Sequence, residues 1–268
     1  MTETFAIQVR VLVYHSITST NEEILHIFIW FVQSKKQKFT SYIVMLKSKG
    51  ELKLKLQEIK KTYDIIIPCG SSCAPTLNLR RLGLRKFSLP LDWVYAESFA
   101  EVGRIYRNRF KEYMELKNLT LINGSAKYFD DDVTIQAVNT YFVKDNYYKV
   151  TSVHDFPILP DQKWFETYPN YKKKLNERIA RFNETIDKSN SILFVRWATN
   201  YEHAFLFHQA MKDMLKEKFS VLILIPSDNT TSISELEWNL ENVCVVQVPN
   251  RINDDSIWNH VYKGIQLN

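Results

Sequence analysis

Cys73 stands near the end of the run Ile65-Ile66-Ile67-Pro68-Cys69-Gly70-Ser71-Ser72-Cys73-Ala74-Pro75, whose residue types suit nucleophilic chemistry. An apolar strand ends, small residues make a tight turn, and a helix begins at or beside a cysteine. The first N–H groups of a helix are unpaired and carry partial positive charge, so a thiolate there is stabilised and its pKa falls. Gly70, Ser71 and Ser72 then form the turn, or supply main-chain amides for an oxyanion next to the sulfur. A buried structural cysteine is the competing reading, since free cysteine is among the most buried residue types. The residues of this segment alone leave both open.

A cysteine nucleophile needs a base, and His154 is the histidine best placed to be one. It ends a strand-like run and precedes Asp155-Phe156-Pro157, and strand ends present side chains to the edge of a cleft. A third group would orient the imidazole, and two carboxylates compete for that role. Asp92 lies among apolar residues in Phe87-Ser88-Leu89-Pro90-Leu91-Asp92-Trp93, so if buried it must find a partner. Asp155 adjoins the histidine, but a neighbour on a strand points to the other face. Ser71 or Ser72 as nucleophile is a weaker reading, because no Asp-x-x-His pair follows towards the C-terminus.

Further along, Arg80, Arg81, Arg85, Arg104, Arg107 and Arg109 either make an electropositive surface for an acidic substrate or pair with surface carboxylates. Arg196, Ser227, Asp228 and Asn250 fall near the carboxyl ends of predicted strands, where open parallel sheets gather their ligands. Arg196, Ser227 and Asp228 are therefore the ligand-binding candidates. No metal-ligand spacing and no Gly-rich phosphate fingerprint is present, so neither a metal nor another cofactor is expected.

The elements that must position these groups alternate along most of the 268 residues. Before the Cys73 turn, strands are predicted at Phe5–His15, Ser41–Leu46 and Tyr63–Pro68, with helices at Asn21–Gln33 and Glu51–Lys61. After it come helices at Ala74–Leu82 and Ser98–Glu115, then strands at Val133–Val143 and Tyr147–Val153 joined by Asp145-Asn146 as a hairpin. A charged helix follows at Trp164–Lys188. The last third reads β-α-β-α-β-α: strands Ile192–Trp197, Val221–Pro226 and Val243–Pro249, helices near Glu202–Lys218, Ser232–Leu240 and Asp254–Lys263. This pattern predicts an α/β fold with a mainly parallel three-layer sheet and a β-hairpin insertion. Residues 1–60 are expected to form an N-terminal β/α extension or part of the same sheet, and 61–268 the main domain.

Composition bounds the setting. A hydrophobic fraction of 45% and a charged fraction of 24% are ordinary for a chain with a real core. The formal charge of +5 is mild and, without clustering, says little about partners; no nucleic-acid partner is expected. No apolar run approaches the roughly 20 residues of a membrane span, and the N-terminus lacks a basic leader. Three cysteines are too few for a disulfide framework, so a reducing cytoplasm with free thiols is the expectation.

Four segments together resemble a bacterial family of unknown function described as papain-like cysteine peptidases, found in places beside polysaccharide genes. They are Pro68-Cys69-Gly70-Ser71-Ser72-Cys73, Arg80–Arg85 with Phe87–Trp93, Val153-His154-Asp155-Phe156, and Lys174–Phe182 followed by Ile192–Arg196. The resemblance runs from about residue 63 to the end. It implies a nucleophile at Cys73, a histidine at His154, and Asp92 or Asp155 as the polar third member. Leu89 and Leu91 stand where the family commonly has aromatics. The expected function is a thiol-dependent hydrolase or acyl transferase acting on a peptide, acyl or glycan substrate. The alternative is a glycosyltransferase-like or nucleotide-sugar-binding protein of polysaccharide biosynthesis, supported by the regular β/α succession of the last third.

Overall fold

The computed structural model describes residues 54–129 and 135–268. The strands and helices expected within residues 1–50 lie outside them. In chain order the first elements are β1 (Thr62–Tyr63), β2 (Ile65–Pro68), α1 (Ala74–Arg81), β3 (Val94–Ala96), α2 (Phe99–Arg107), β4 (Leu119–Phe129), β5 (Ile135–Asp145) and β6 (Val150–Pro157). There follow α3 (Tyr168–Lys188), β7 (Ile192–Trp197), α4 (Tyr201–Leu215), β8 (Phe219–Ser227), β9 (Ser234–Leu236), β10 (Val243–Pro249), α5 (Asp255–Tyr262) and β11 (Gln266–Leu267).

The apolar runs assemble into a five-stranded sheet in the order β2-β7-β8-β10-β9. Its first four strands are mutually parallel and β9 is antiparallel at the edge. These strands read as continuous Val, Ile and Leu because both faces are covered, and their residues alternate between two apolar clusters. Ile65, Ile67, Phe194, Val221 and Val245 face α2, α3 and α4. Ile66, Leu193, Val195, Leu222 and Val246 face α1 and α5. β1 and β11 pair as a separate two-stranded ribbon.

The middle of the chain is a second sheet, wholly antiparallel, in the order β3-β6-β5-β4. Two strands were expected there and four are present. β3 is only three residues long, and β4 is exposed along most of its length, so neither carries the apolar alternation that would announce it. The inner residues Leu119, Val143, Val150 and Phe156 join the cluster that covers one face of the parallel sheet. At the β5–β6 turn the Asp145 carboxylate accepts from the main-chain N–H groups of Tyr147 at 2.8 Å and Met114 at 2.7 Å.

Three helix expectations need correcting. The helix from Ser98 stops at Arg107, because Arg109, Phe110, Glu112 and Met114 all take positive φ. In place of a helix over Ser232–Leu240, the short edge strand β9 pairs with β10, tertiary context overriding local preference. The described part of Glu51–Lys61 forms turns, with the Ile59 carbonyl accepting from the Tyr63 hydroxyl rather than from a helical N–H.

Candidate active site

The turn that carries Cys73 is tied down on several sides. Gly70 takes φ +61°, the left-handed region, and a Cβ there would lie 2.9 Å from Val94 Cγ2. Its carbonyl accepts from Ala96 N–H at 2.6 Å, joining the turn to β3. Ser71 Oγ accepts from Trp197 N–H at 3.1 Å, and Ser72 Oγ from Ala74 N–H at 3.1 Å. Cys73 is the N-cap of α1, with Pro75 in the first turn where its missing N–H does no harm. Of the three cysteines Cys69 and Cys244 are buried, and Cys73 alone is partly exposed. The thiol does not have the depressed pKa expected of a helix N-terminus. Burial pushes it above its ordinary value, against the opposing pull of its own main-chain amide.

Cys73 packs with Leu77 against a pair of aromatic rings, Trp93 and Phe129, that meet edge to face at 4.9 Å and 85°. His154 belongs to the same group. Its imidazole stacks on Phe129 at 4.0 Å and 5°, and stands edge-on to Trp93 at 6.0 Å. Thus α1, the loop before β3, the end of β4 and the middle of β6 bring thiol and imidazole to one aromatic pair, although Cys73 and His154 are far apart in sequence.

His154 Nδ1 lies 2.7 Å from the Lys127 carbonyl oxygen. A carbonyl only accepts, so Nδ1 carries the proton and Nε2 keeps its lone pair, the tautomer a general base requires. Burial lowers the pKa of this imidazole, which favours its neutral form. Burial thus favours the uncharged form of both the thiol and the imidazole, in contrast to the thiolate and imidazolium that a depressed cysteine would give.

Neither carboxylate expected to orient the imidazole bonds to it. Asp92 is fully buried, 2.6 Å from Arg85 Nη2 and 2.8 Å from Leu89 N–H. Burial raises its pKa against the pull of Arg85. Its link to the site is indirect, because the Arg85 guanidinium lies over the Trp93 ring at 5.7 Å. Asp155 accepts from Arg178 Nη1 at 2.9 Å and from Ser152 Oγ at 2.7 Å. It also lines a cavity of about 500 Å³ with Tyr128, Asn170, Tyr171 and Lys174. The orienting groups are instead the Lys127 carbonyl and the Phe129 ring. Sequence reasoning missed both, since a main-chain carbonyl has no residue signature and β4 shows no strand pattern.

The ligand candidates divide. Arg196 is turned inward and donates to the carbonyls of Cys69 at 2.8 Å, Ala96 at 2.9 Å and Ala198 at 3.1 Å. Burial lowers its pKa to about 10. It braces the Cys73 turn from below and presents no free fork to a ligand. Ser227 and Asp228 do come together with Asn250 at the carboxyl ends of β8 and β10. Asn250 N–H donates to the Ser227 carbonyl at 3.1 Å, and its side-chain amide to Asp228 at 2.9 Å. Arg81, Arg85, Arg104 and Arg109 each pair with a carboxylate. Among the described residues no group of three His, Cys, Asp or Glu side chains gathers as a metal ion needs.

The sequence profile of the family described as "Putative papain-like cysteine peptidase (DUF1796)" matches residues 64–227, more than half of the chain. The chain belongs to this family. The matched segment contains every group just described around the thiol: Cys73, Arg85, Asp92, Trp93, Lys127, Phe129, His154 and Arg196. An uncharacterized protein of Acanthamoeba polyphaga mimivirus is 29% identical over 170 residues, covering 62% of this chain and 74% of its own length. That relative is viral, so the bacterial setting implied by the resemblance finds no support in it. No solved structure matches the chain. Among the described residues no helix is long and apolar enough to cross a membrane.

Proposed function

We propose that the protein is a thiol-dependent hydrolase or acyl transferase in which Cys73 is the nucleophile and His154 the general base. The observation that carries this reading is the shared Trp93–Phe129 pair, against which both side chains pack, with His154 Nδ1 spent on a carbonyl and Nε2 left to accept a proton. Cys73 Sγ attacks the acyl carbon while its proton passes to Nε2, and the imidazolium returns that proton to the departing amine or alcohol. Water, or a second nucleophile deprotonated by His154, then cleaves the thioester. Because burial favours the uncharged form of both groups, proton transfer accompanies attack. Peptide, acyl and glycan-ester substrates all suit this chemistry.

Alkylation with iodoacetamide, read residue by residue by mass spectrometry, tests the reading, with buried Cys69 and Cys244 as internal controls. Cys73 is expected to react first, with a rate inflection in the imidazole range that His154→Ala removes. A Cys73 that alkylates with the same pH profile in wild type and His154→Ala would end the proposal.

A further inference from the structure

The strand that carries His154 is irregular where the histidine sits. β5 and β6 pair in register from Asp145↔Val150 to Val143↔Ser152, and again from Tyr141↔Phe156 to Thr140↔Pro157. Between these two stretches β5 spends one residue, Phe142, and β6 spends three, Val153, His154 and Asp155. On the other flank β4 does the same, placing Asn123 and Gly124 between the pairs Ile122↔Phe142 and Ser125↔Tyr141. Gly124 has φ +141°, and a Cβ there would overlap the Phe142 ring, so the double bulge depends on a residue without a side chain. Bulges of this kind re-aim side chains beside active sites, at the cost of the ladder bonds they interrupt.

Beside the irregular stretch a buried side chain bonds to the backbone. Thr140 is fully buried in β5, between the two bulged strands. Its hydroxyl donates to the Val153 carbonyl at 2.7 Å and lies 3.2 Å from the Ala126 carbonyl. Val153 immediately precedes His154, and Ala126 immediately precedes Lys127, whose carbonyl holds His154 Nδ1. The hydroxyl's one proton goes to the nearer carbonyl, on the backbone that carries the imidazole, while its oxygen lies against the backbone that orients the ring. Val153 is held on its other side as well, its N–H donating to the Trp93 carbonyl at 3.0 Å.

We propose that Thr140 is the positioning residue for His154, acting through the Val153 carbonyl to keep the imidazole on the Lys127 carbonyl in its Nδ1–H tautomer. The inference rests on the reading of His154 as base, but its primary test does not. Nitrogen-15 NMR of the imidazoles at pH 8 in the full chain identifies the His154 signals by their loss in His154→Ala. Wild type and Thr140→Ser, which keeps the hydroxyl, are expected to show His154 protonated at Nδ1. Thr140→Val, close in shape but without the donor, is expected to lose that preference. Cys73 alkylation at pH 7.5 should fall about tenfold in Thr140→Val and be retained in Thr140→Ser, as expected for one lost buried hydrogen bond. A Thr140→Val protein with the wild-type imidazole pattern, or a Thr140→Ser protein that loses it, overturns the assignment. An unchanged Cys73 profile in His154→Ala defeats the thiol–imidazole reading instead, and leaves the NMR comparison to decide Thr140 by itself.

Discussion

Replacing Gly70 by alanine puts the geometry of the Cys73 turn to a direct test. Two terms add. At φ +61° an alanine occupies the left-handed region, which costs a residue with a Cβ roughly 1–2 kcal/mol. The new methyl would also lie 2.9 Å from Val94 Cγ2 and 3.5 Å from Leu91 Cβ. Val94 is 1% exposed and held in β3, so it cannot swing aside, and overpacking of this kind costs about 1–3 kcal/mol. The expected loss is therefore about 2–5 kcal/mol, or a melting point lower by about 4–20 °C in a protein of this size. Equilibrium unfolding in urea measures it, as a lower midpoint with an unchanged slope. Val94→Ala separates the two terms. It removes Cγ2, so in that background Gly70→Ala should cost about 1–3 kcal/mol less, the packing share, while the conformational share stays. A Gly70→Ala protein within about 0.5 kcal/mol of wild type would refute both terms. An equal cost in both backgrounds would refute the contact with Val94.

The remaining expectations concern buried charge and pH. Arg85→Met leaves the Asp92 carboxylate buried without its partner, and should cost about 3–5 kcal/mol in the same urea titration. The double variant Arg85→Met/Asp92→Leu should recover most of that loss; a single variant that costs under about 1 kcal/mol would show the pair to be unimportant. Burial lowers the pKa of both His154 and His208, so below about pH 6.5 the unfolded chain takes up protons that the folded chain resists. Their contribution to stability is complete above that pH and is lost as pH falls towards the lower folded values. His208→Gln should accordingly show a shallower loss of stability than wild type between pH 7.5 and 5. Parallel curves for the two proteins would count against a neutral buried His208.

Several parts of the fold were legible in the residues because they rest on local pattern. The apolar runs of β2, β7, β8 and β10 stand out since strands covered on both faces exclude polar residues throughout. The helix start at Ala74 was readable from Pro75 and the small residues before it. The β5–β6 turn was readable from Asp145-Asn146, and Asp145 does bind the main-chain amides of that turn. β9 and the turns after Arg107 were not readable, because edge pairing and positive φ at ordinary residues are imposed by neighbours distant in sequence.

For the candidate site, the amino-acid order by itself singled out Cys73 and His154 as types and positions suited to chemistry, and showed that Asp92 would need a partner if buried. It could not say which partner. That Arg85 takes Asp92, that Arg178 takes Asp155, and that a main-chain carbonyl and a phenylalanine ring orient the imidazole follow from long-range packing. So does the direction in which the thiol's pKa moves. A helix N-terminus draws a thiol's pKa down wherever it occurs, but burial beside Trp93 and Phe129 opposes it, and burial is a property of the assembled chain that no local spacing encodes.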